Sequence, residues 1–158
     1  MIFLKFEKEI KGESDQQGYK DWIGADSVQF GVGRAISVLG GGGDRDVSNP
    51  SFSEITISKS TDIASADLFM QAICGDSLGK AELHLVNVRD KKVEPYIKME
   101  LHEAMVTSYS ASSGGDRPSE SFSINFSKIT YQYDKWDGGS KTTGTAKKWD
   151  LAKDEKFS

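Results

Sequence analysis

Apolar and polar residues alternate with a period of two through most of the chain. Ile2, Leu4 and Phe6 are separated by Phe3 and Lys5, the pattern of a pleated strand with one buried face. Val28, Phe30 and Val32 repeat it, which places all three toward a core and turns Gln29 and Gly31 the other way. Phe52, Ile55 and Ile57 open a further strand. Leu83 and Leu85 mark another, and Ile97, Met99 and Leu101 alternate with Tyr96, Lys98, Glu100 and His102. Phe122, Ile124 and Phe126 fall on even positions, whereas Ile129, Tyr131 and Tyr133 fall on odd ones. A slip in phase turns side chains to the wrong face, so the pattern predicts a bulge, bend or turn near Ser127-Lys128.

One segment has helical spacing. Ser65 is placed to N-cap it, Asp67 lies in its first turn, and Gly75 sits where helices commonly stop. Leu68/Ala72 and Phe69/Ile73 are i,i+4 pairs, an apolar stripe about two turns long, and Leu68 and Ala72 are expected to pack on the strands. The polar residues 11–18 read as a loop, and the Gly/Thr/Lys-rich residues 134–148 as a loop before a last strand at Trp149–Leu151. Many short strands, one helix and glycine-rich turns predict a mainly β fold. The expected form is a two-sheet β-barrel with one flanking α-helix and a long extended loop. That loop, Gly33 to Pro50, exceeds the usual connection of about two to six residues. It carries Ile36, Val38 and Leu39, which suit either a docking element or a segment folded back on its own domain. The run Gly40–Gly43 within it cannot form a stable element alone, because glycine loses the most backbone freedom on ordering.

With 158 residues, one domain spanning 1–158 is expected. Twenty basic against 24 acidic side chains leave a net charge of −4, which disfavours nucleic acid and anionic membranes as partners. A single cysteine excludes an intramolecular disulfide and a multi-thiolate zinc site. The longest apolar run, Met1 to Leu4, is too short to span a bilayer, and charge begins at Lys5, so neither membrane insertion nor a signal peptide is expected. The chain is expected to be made in the cytoplasm. His84 and His102 are expected on polar strand faces, with no third ligand at a metal-binding spacing. Cys74, at the helix C-terminus where the dipole disfavours a thiolate, reads as structural. The glycine run leads into Asp44-Arg45-Asp46 instead of the Lys-Ser/Thr of a phosphate loop. Glu7/Glu9 and Glu100/Glu103 read as solvated faces. No catalytic, cofactor-binding or metal-binding residues are expected, and no enzyme stands out.

Motifs in order along the chain are similar to one family. They run from Lys11-Gly12-Glu13-Ser14 through Trp22-Ile23 and Phe30-Gly31-Val32 to Pro50–Ile57 and Lys59. Asp62-Ile63-Ala64-Ser65 with Leu68 comes next, then Val106-Thr107-Ser108-Tyr109-Ser110, Ser113–Pro118 with Glu120, Lys128–Tyr133 and Trp149-Asp150-Leu151. The chain resembles the hemolysin-coregulated proteins (Hcp), inner-tube proteins of bacterial type VI secretion systems. It departs from them at Tyr19, Gly24, Ala66 and Lys148, none of which is catalytic in the family.

The resemblance implies a homohexameric ring that stacks head to tail into a tube. Its partners would be a contractile sheath, a spike protein and effector proteins carried in the pore, with export through the machine itself. Gln29 and Gly31 are then candidates for the pore wall. Arg34, Ile36, Val38, Leu39, Asp44, Arg45 and Asp46 are candidates for the loop that stacks rings. Two alternatives remain open: a monomeric β-barrel binding module that has lost assembly, and a small enzyme such as a hydrolase.

Overall fold

A computed structural model describes residues 1–8, 10–38, 43 and 45–158. In chain order its strands are β1 (Ile2–Phe6), β2 (Ile23–Ala25), β3 (Ser27–Gln29), β4 (Val32–Gly33), β5 (Ile36–Val38), β6 (Arg45–Val47), β7 (Ser51–Phe52) and β8 (Ile55–Ser60). Helix α1 (Ser65–Cys74) comes after them. The remaining strands are β9 (Ala81–Arg89), β10 (Lys92–His102), β11 (Met105–Ser112), β12 (Ser119–Asn125), β13 (Lys128–Tyr133), β14 (Lys135–Asp137), β15 (Ser140–Thr142), β16 (Lys147–Asp150) and β17 (Glu155–Lys156).

Two antiparallel sheets hold the core. One has seven strands in the order β17-β16-β13-β10-β9-β1-β2, and the other has four in the order β11-β12-β8-β3. Ile55 and Ile57 of β8 face Ile124 and Phe122 of β12 in register. All four are fully buried with Leu4, Leu83, Met99 and Leu101 of the larger sheet. The chain changes sheet at three short corners, Asp26 between β2 and β3, Phe126-Ser127 between β12 and β13 and Glu103-Ala104 between β10 and β11, and once more through α1 between β8 and β9. The second corner is the physical form of the phase slip: the two apolar triplets belong to different sheets. The fold is mainly β with one helix, as expected; of the expected two-sheet barrel the two sheets are present, and no ladder closes them on each other among the described residues.

The larger sheet is buried on both faces near its N-terminal strand. Phe3 points away from the main core into a second cluster with Tyr19 and Val86, flanked by Trp22 and Val93. The loop at 11–18 brings Tyr19 there. Gly12 lies so close to Trp22 that a Cβ would sit 2.2 Å from the Trp22 carbonyl oxygen, so only glycine fits.

Residues 134–148, expected as a loop, contain the β14–β15 hairpin. Gly138 and Gly139 have φ of 56° and 88°, the two positive values that a tight hairpin turn requires. The Trp136 indole N–H donates to the Pro95 carbonyl at 2.9 Å and ties the hairpin to the sheet. Helix α1 buries Leu68 completely, with Ala72 packed beside the core. Ser65 is its first residue and not its cap: Ala64 occupies that position without a side-chain hydrogen bond. Phe69 and Ile73, counted in the stripe, are exposed.

Candidate assembly surface

The strand that begins at β3 leaves the small sheet after Gln29. Up to that point Val28 pairs with Ile57 of β8 and packs against the core. Just beyond it β4 pairs with β7, Val32 opposite Phe52, and the expected burial of Phe30 and Val32 is overturned: they are 44% and 60% exposed. Gln29 and Gly31 are exposed as well. Ser53 clamps Gly31, since the Gly31 N–H donates to Ser53 Oγ at 2.8 Å and the Ser53 N–H returns to the Gly31 carbonyl at 2.9 Å.

The expected long loop is a two-stranded arm. β5 pairs with β6, placing Ile36 opposite Val47, Ser37 opposite Asp46 and Val38 opposite Arg45. At its root the Ala35 N–H donates to Ser48 Oγ at 2.8 Å and the Ser48 N–H donates back to the Ala35 carbonyl. Arg34, Ile36, Val38, Arg45 and Asp46 are all exposed; Leu39 and Asp44 lie outside the described residues. A lone two-stranded ribbon is marginal in water, yet this one turns Ile36, Val38 and Val47 outward at 50%, 69% and 43% exposure. A cluster of that kind marks an interaction surface.

Beside the arm's root is a groove of about 840 Å³. Its aromatic lining comes from Phe30, Phe52, Phe126, Tyr131, Trp149 and Phe157, and Lys147, Lys148 and Lys156 also line it, with no carboxylate side chain among the lining residues. Register builds it: Ile129 lies opposite Trp149 and Tyr131 opposite Lys147 across β13 and β16. Its residues come from separate segments, so no local motif announces it.

The motif residues converge elsewhere, on a buried ionic junction between α1 and the small sheet. Lys59 is fully buried. Its ammonium lies 2.7 Å from Asp62 Oδ1, 2.8 Å from Glu120 Oε2, 3.0 Å from the Ser60 carbonyl and 3.3 Å from Ser65 Oγ. Tyr109 donates its hydroxyl to Glu120 Oε1 at 2.7 Å. Burial pushes the Tyr109 hydroxyl up to about 12, and the bond to Glu120 adds to the rise. Burial alone would raise the Glu120 carboxyl, but hydrogen bonds from Lys59, Ser65 and Tyr109 and the Lys59 charge outweigh it, leaving that group below its ordinary value. Close by, Glu13 accepts from the Ile63 N–H at 3.1 Å, and Arg117 Nε donates to the Thr61 carbonyl at 2.8 Å.

Both histidines sit against aromatic rings. His84, expected on an exposed face, is partly buried: Tyr19 O–H and His84 Nδ1 are 3.0 Å apart, with Trp22 also against the ring. Burial and the Lys98 charge lower the His84 pKa, and burial with the Glu82 charge pushes Tyr19 up to about 12. His102 packs edge-on against Phe157. Cys74 is a free, exposed cysteine at the end of α1. Among the described residues no group of three or more His, Cys, Asp and Glu could hold a metal ion, and no helix is long and apolar enough to cross a membrane.

Residues 3–133 match the family described as type VI secretion system effector, Hcp. The chain belongs to the Hcp family. Among solved structures it is similar to one described as that of a type six secretion system protein, with TM-score 0.90 and 25% identity over 99% of this chain and 98% of that one. Hcp1 from Salmonella typhimurium matches with TM-score 0.77 and 22% identity over 99% and 97%. A type VI secretion system effector from Yersinia pestis matches with TM-score 0.72 and 19% identity over 95% and 99%. No curated protein matches the sequence.

Proposed function

We propose that this Hcp-family chain is a tube subunit: six copies form a ring, rings stack head to tail, and the stack carries effector proteins and is exported through the secretion machine. The observation that carries the reading is the arm, three exposed apolar side chains on a ribbon that has no core of its own. A projecting arm that docks on a different surface of the next copy makes a heterologous contact, and such contacts propagate as open assemblies. Ile36, Val38 and Val47 supply the apolar part, while Arg34, Arg45 and Asp46 set register, since rim charges mainly control specificity and encounter rate. Leu39 and Asp44 complete the stacking segment. Sheath and spike proteins surround and cap the tube. No nucleic acid, cofactor or catalytic group enters the reading.

Gln29 and Gly31 are assigned to the pore wall, where a polar, uncharged lining lets cargo move. Electron microscopy of a variant carrying Ile36→Ser, Val38→Ser and Val47→Ser tests the arm: single rings without tubes are expected, and unaltered tubes contradict it. Gln29→Arg is expected to change effector retention and leave ring mass unchanged. A monomeric Gln29→Arg protein places that residue in an interface instead.

A further inference from the structure

Helix α1 carries two apolar stripes: one is buried in the core, and the other stays largely in solvent, with Phe69 edge-on to Tyr109. Ser65, Leu68 and Ala72 face the core. Ala66, Phe69, Met70 and Ile73 have the i, i+3, i+4, i+7 spacing of a second stripe. Phe69, Met70 and Ile73 leave 49%, 51% and 61% of their surface in solvent, with Ile63 at 64% just ahead of the helix. A helix that ends a fold on its outer side should present polar residues there; an apolar outer face implies a covering surface.

Along the helix the charge beside this stripe is acidic, while Arg117 lies at its Ile63 end, donating to the Thr61 carbonyl at 2.8 Å. Between Lys59 and Lys80 the sequence holds no Lys or Arg and three aspartates, Asp62, Asp67 and Asp76. The groove has the opposite character: an aromatic lining with Lys147, Lys148 and Lys156 and no acidic side chain. One chain thus presents an acidic-edged apolar helix face and a lysine-edged aromatic groove, and among the described residues no side chain fills the groove or covers the exposed side of the helix.

We infer that the two surfaces are a complementary pair, with α1 of one copy seated in the groove of the next. The mode is an amphipathic helix laid in an apolar groove, anchored at i, i+3, i+4 and i+7 positions. Phe69, Met70 and Ile73 enter the aromatic lining, and Asp67 and Asp76 meet Lys147, Lys148 and Lys156. Because the helix and the groove are different surfaces, the contact is heterologous and closes into a ring when its rotation allows. The inference rests on the tube-subunit reading and specifies its lateral contact, leaving stacking to the arm.

Charge reversal separates this inference from the reading beneath it. One variant carries Lys147→Glu, Lys148→Glu and Lys156→Glu; a second carries Asp67→Lys and Asp76→Lys. Native mass by light scattering is read for the wild type, for each variant and for an equimolar mixture. With a wild-type ring, each variant alone is expected at monomer mass. The mixture is expected to recover ring mass, since each reversed surface finds an opposite charge on the other variant. Recovery in the mixture also shows that both variants are folded. Wild-type ring mass in both single variants overturns the helix-in-groove contact and leaves the ring standing. The contact is also overturned if both variants are monomeric with native circular dichroism and the mixture stays monomeric. A monomeric wild type overturns the assembly reading and the contact together. As a second readout, Ser158→Cys beside the groove pairs with the exposed Cys74 of the helix: mild oxidation is expected to give a ladder beyond the dimer, and a dimer alone counts against the contact.

Discussion

The junction around Lys59 and the arm around Val38 break the usual placement of polar and apolar side chains in opposite directions. Lys59 is a charge with no solvent, and Val38 is an apolar side chain at 69% exposure. The difference lies in whether the chain supplies the missing partner. Lys59 has four oxygens within 3.3 Å, two of them carboxylate, so its desolvation is met inside the protein. Among the described residues Val38 lies opposite Arg45 on a two-stranded ribbon and stays in solvent, a position suited to a partner from outside. A buried ionic group that is satisfied internally reads as architecture. An exposed apolar group on an unsupported element reads as assembly.

The largest expected effect breaks the internal half of that contrast. Lys59→Met leaves Glu120 and Asp62 without their cation, and removing one partner of a buried pair costs about 3–5 kcal/mol; urea unfolding checks this, and a loss below about 1 kcal/mol would mean the carboxylates reach water. Leu68→Ala, a fully buried position on the inner stripe of α1, is expected to cost about 2–5 kcal/mol through the lost burial and the cavity. A pH series then sharpens the electrostatics. The Glu120, Asp134 and Asp150 carboxyls are held below their ordinary values in the fold. Burial opposes this in each, but hydrogen bonds and neighbouring lysines prevail. A depressed carboxyl stabilises the fold fully above its unfolded pKa and loses that contribution as pH falls toward the folded one. Stability should therefore decline as pH drops below about 4, and Glu120→Gln should show a shallower decline. The smallest effect belongs to the arm: Ile36→Ser with Val38→Ser is expected to stay within about 0.5 kcal/mol of wild-type stability, as exposed substitutions usually do. A larger loss would make the arm part of the core.

Strand periodicity was enough to place the main strands, because burial on one pleat face writes itself into neighbouring residues. It failed where long-range pairing decides. Phe30 and Val32 continue the phase of Val28, but β3 ends at Gln29 and the residues beyond it pair with the short β7 instead of the four-stranded sheet, leaving Phe30 and Val32 exposed at the groove beside Tyr131. Barrel closure depends on edge-to-edge ladders that a residue period cannot report. Lys59 alternates with Ile55 and Ile57 and could have been read as inward-facing, yet its partner Glu120 lies on a distant strand. The hairpin at Gly138-Gly139 had a local signal in its paired glycines, hidden by the polar residues around it. The arm was legible as a segment too apolar for a solvated loop, though its ladder was not. The groove was invisible because β13, β16, the arm's root and residues near 157 each contribute only a few side chains.

Native mass by light scattering after size exclusion, tracked across a concentration series, tests the central claim most directly. The account predicts a ring of six 17.3 kDa chains at about 104 kDa, with larger stacks as concentration rises. A mass of 17.3 kDa at every concentration would contradict it and make the exposed stripe, groove and arm the surfaces of a monomeric binding module.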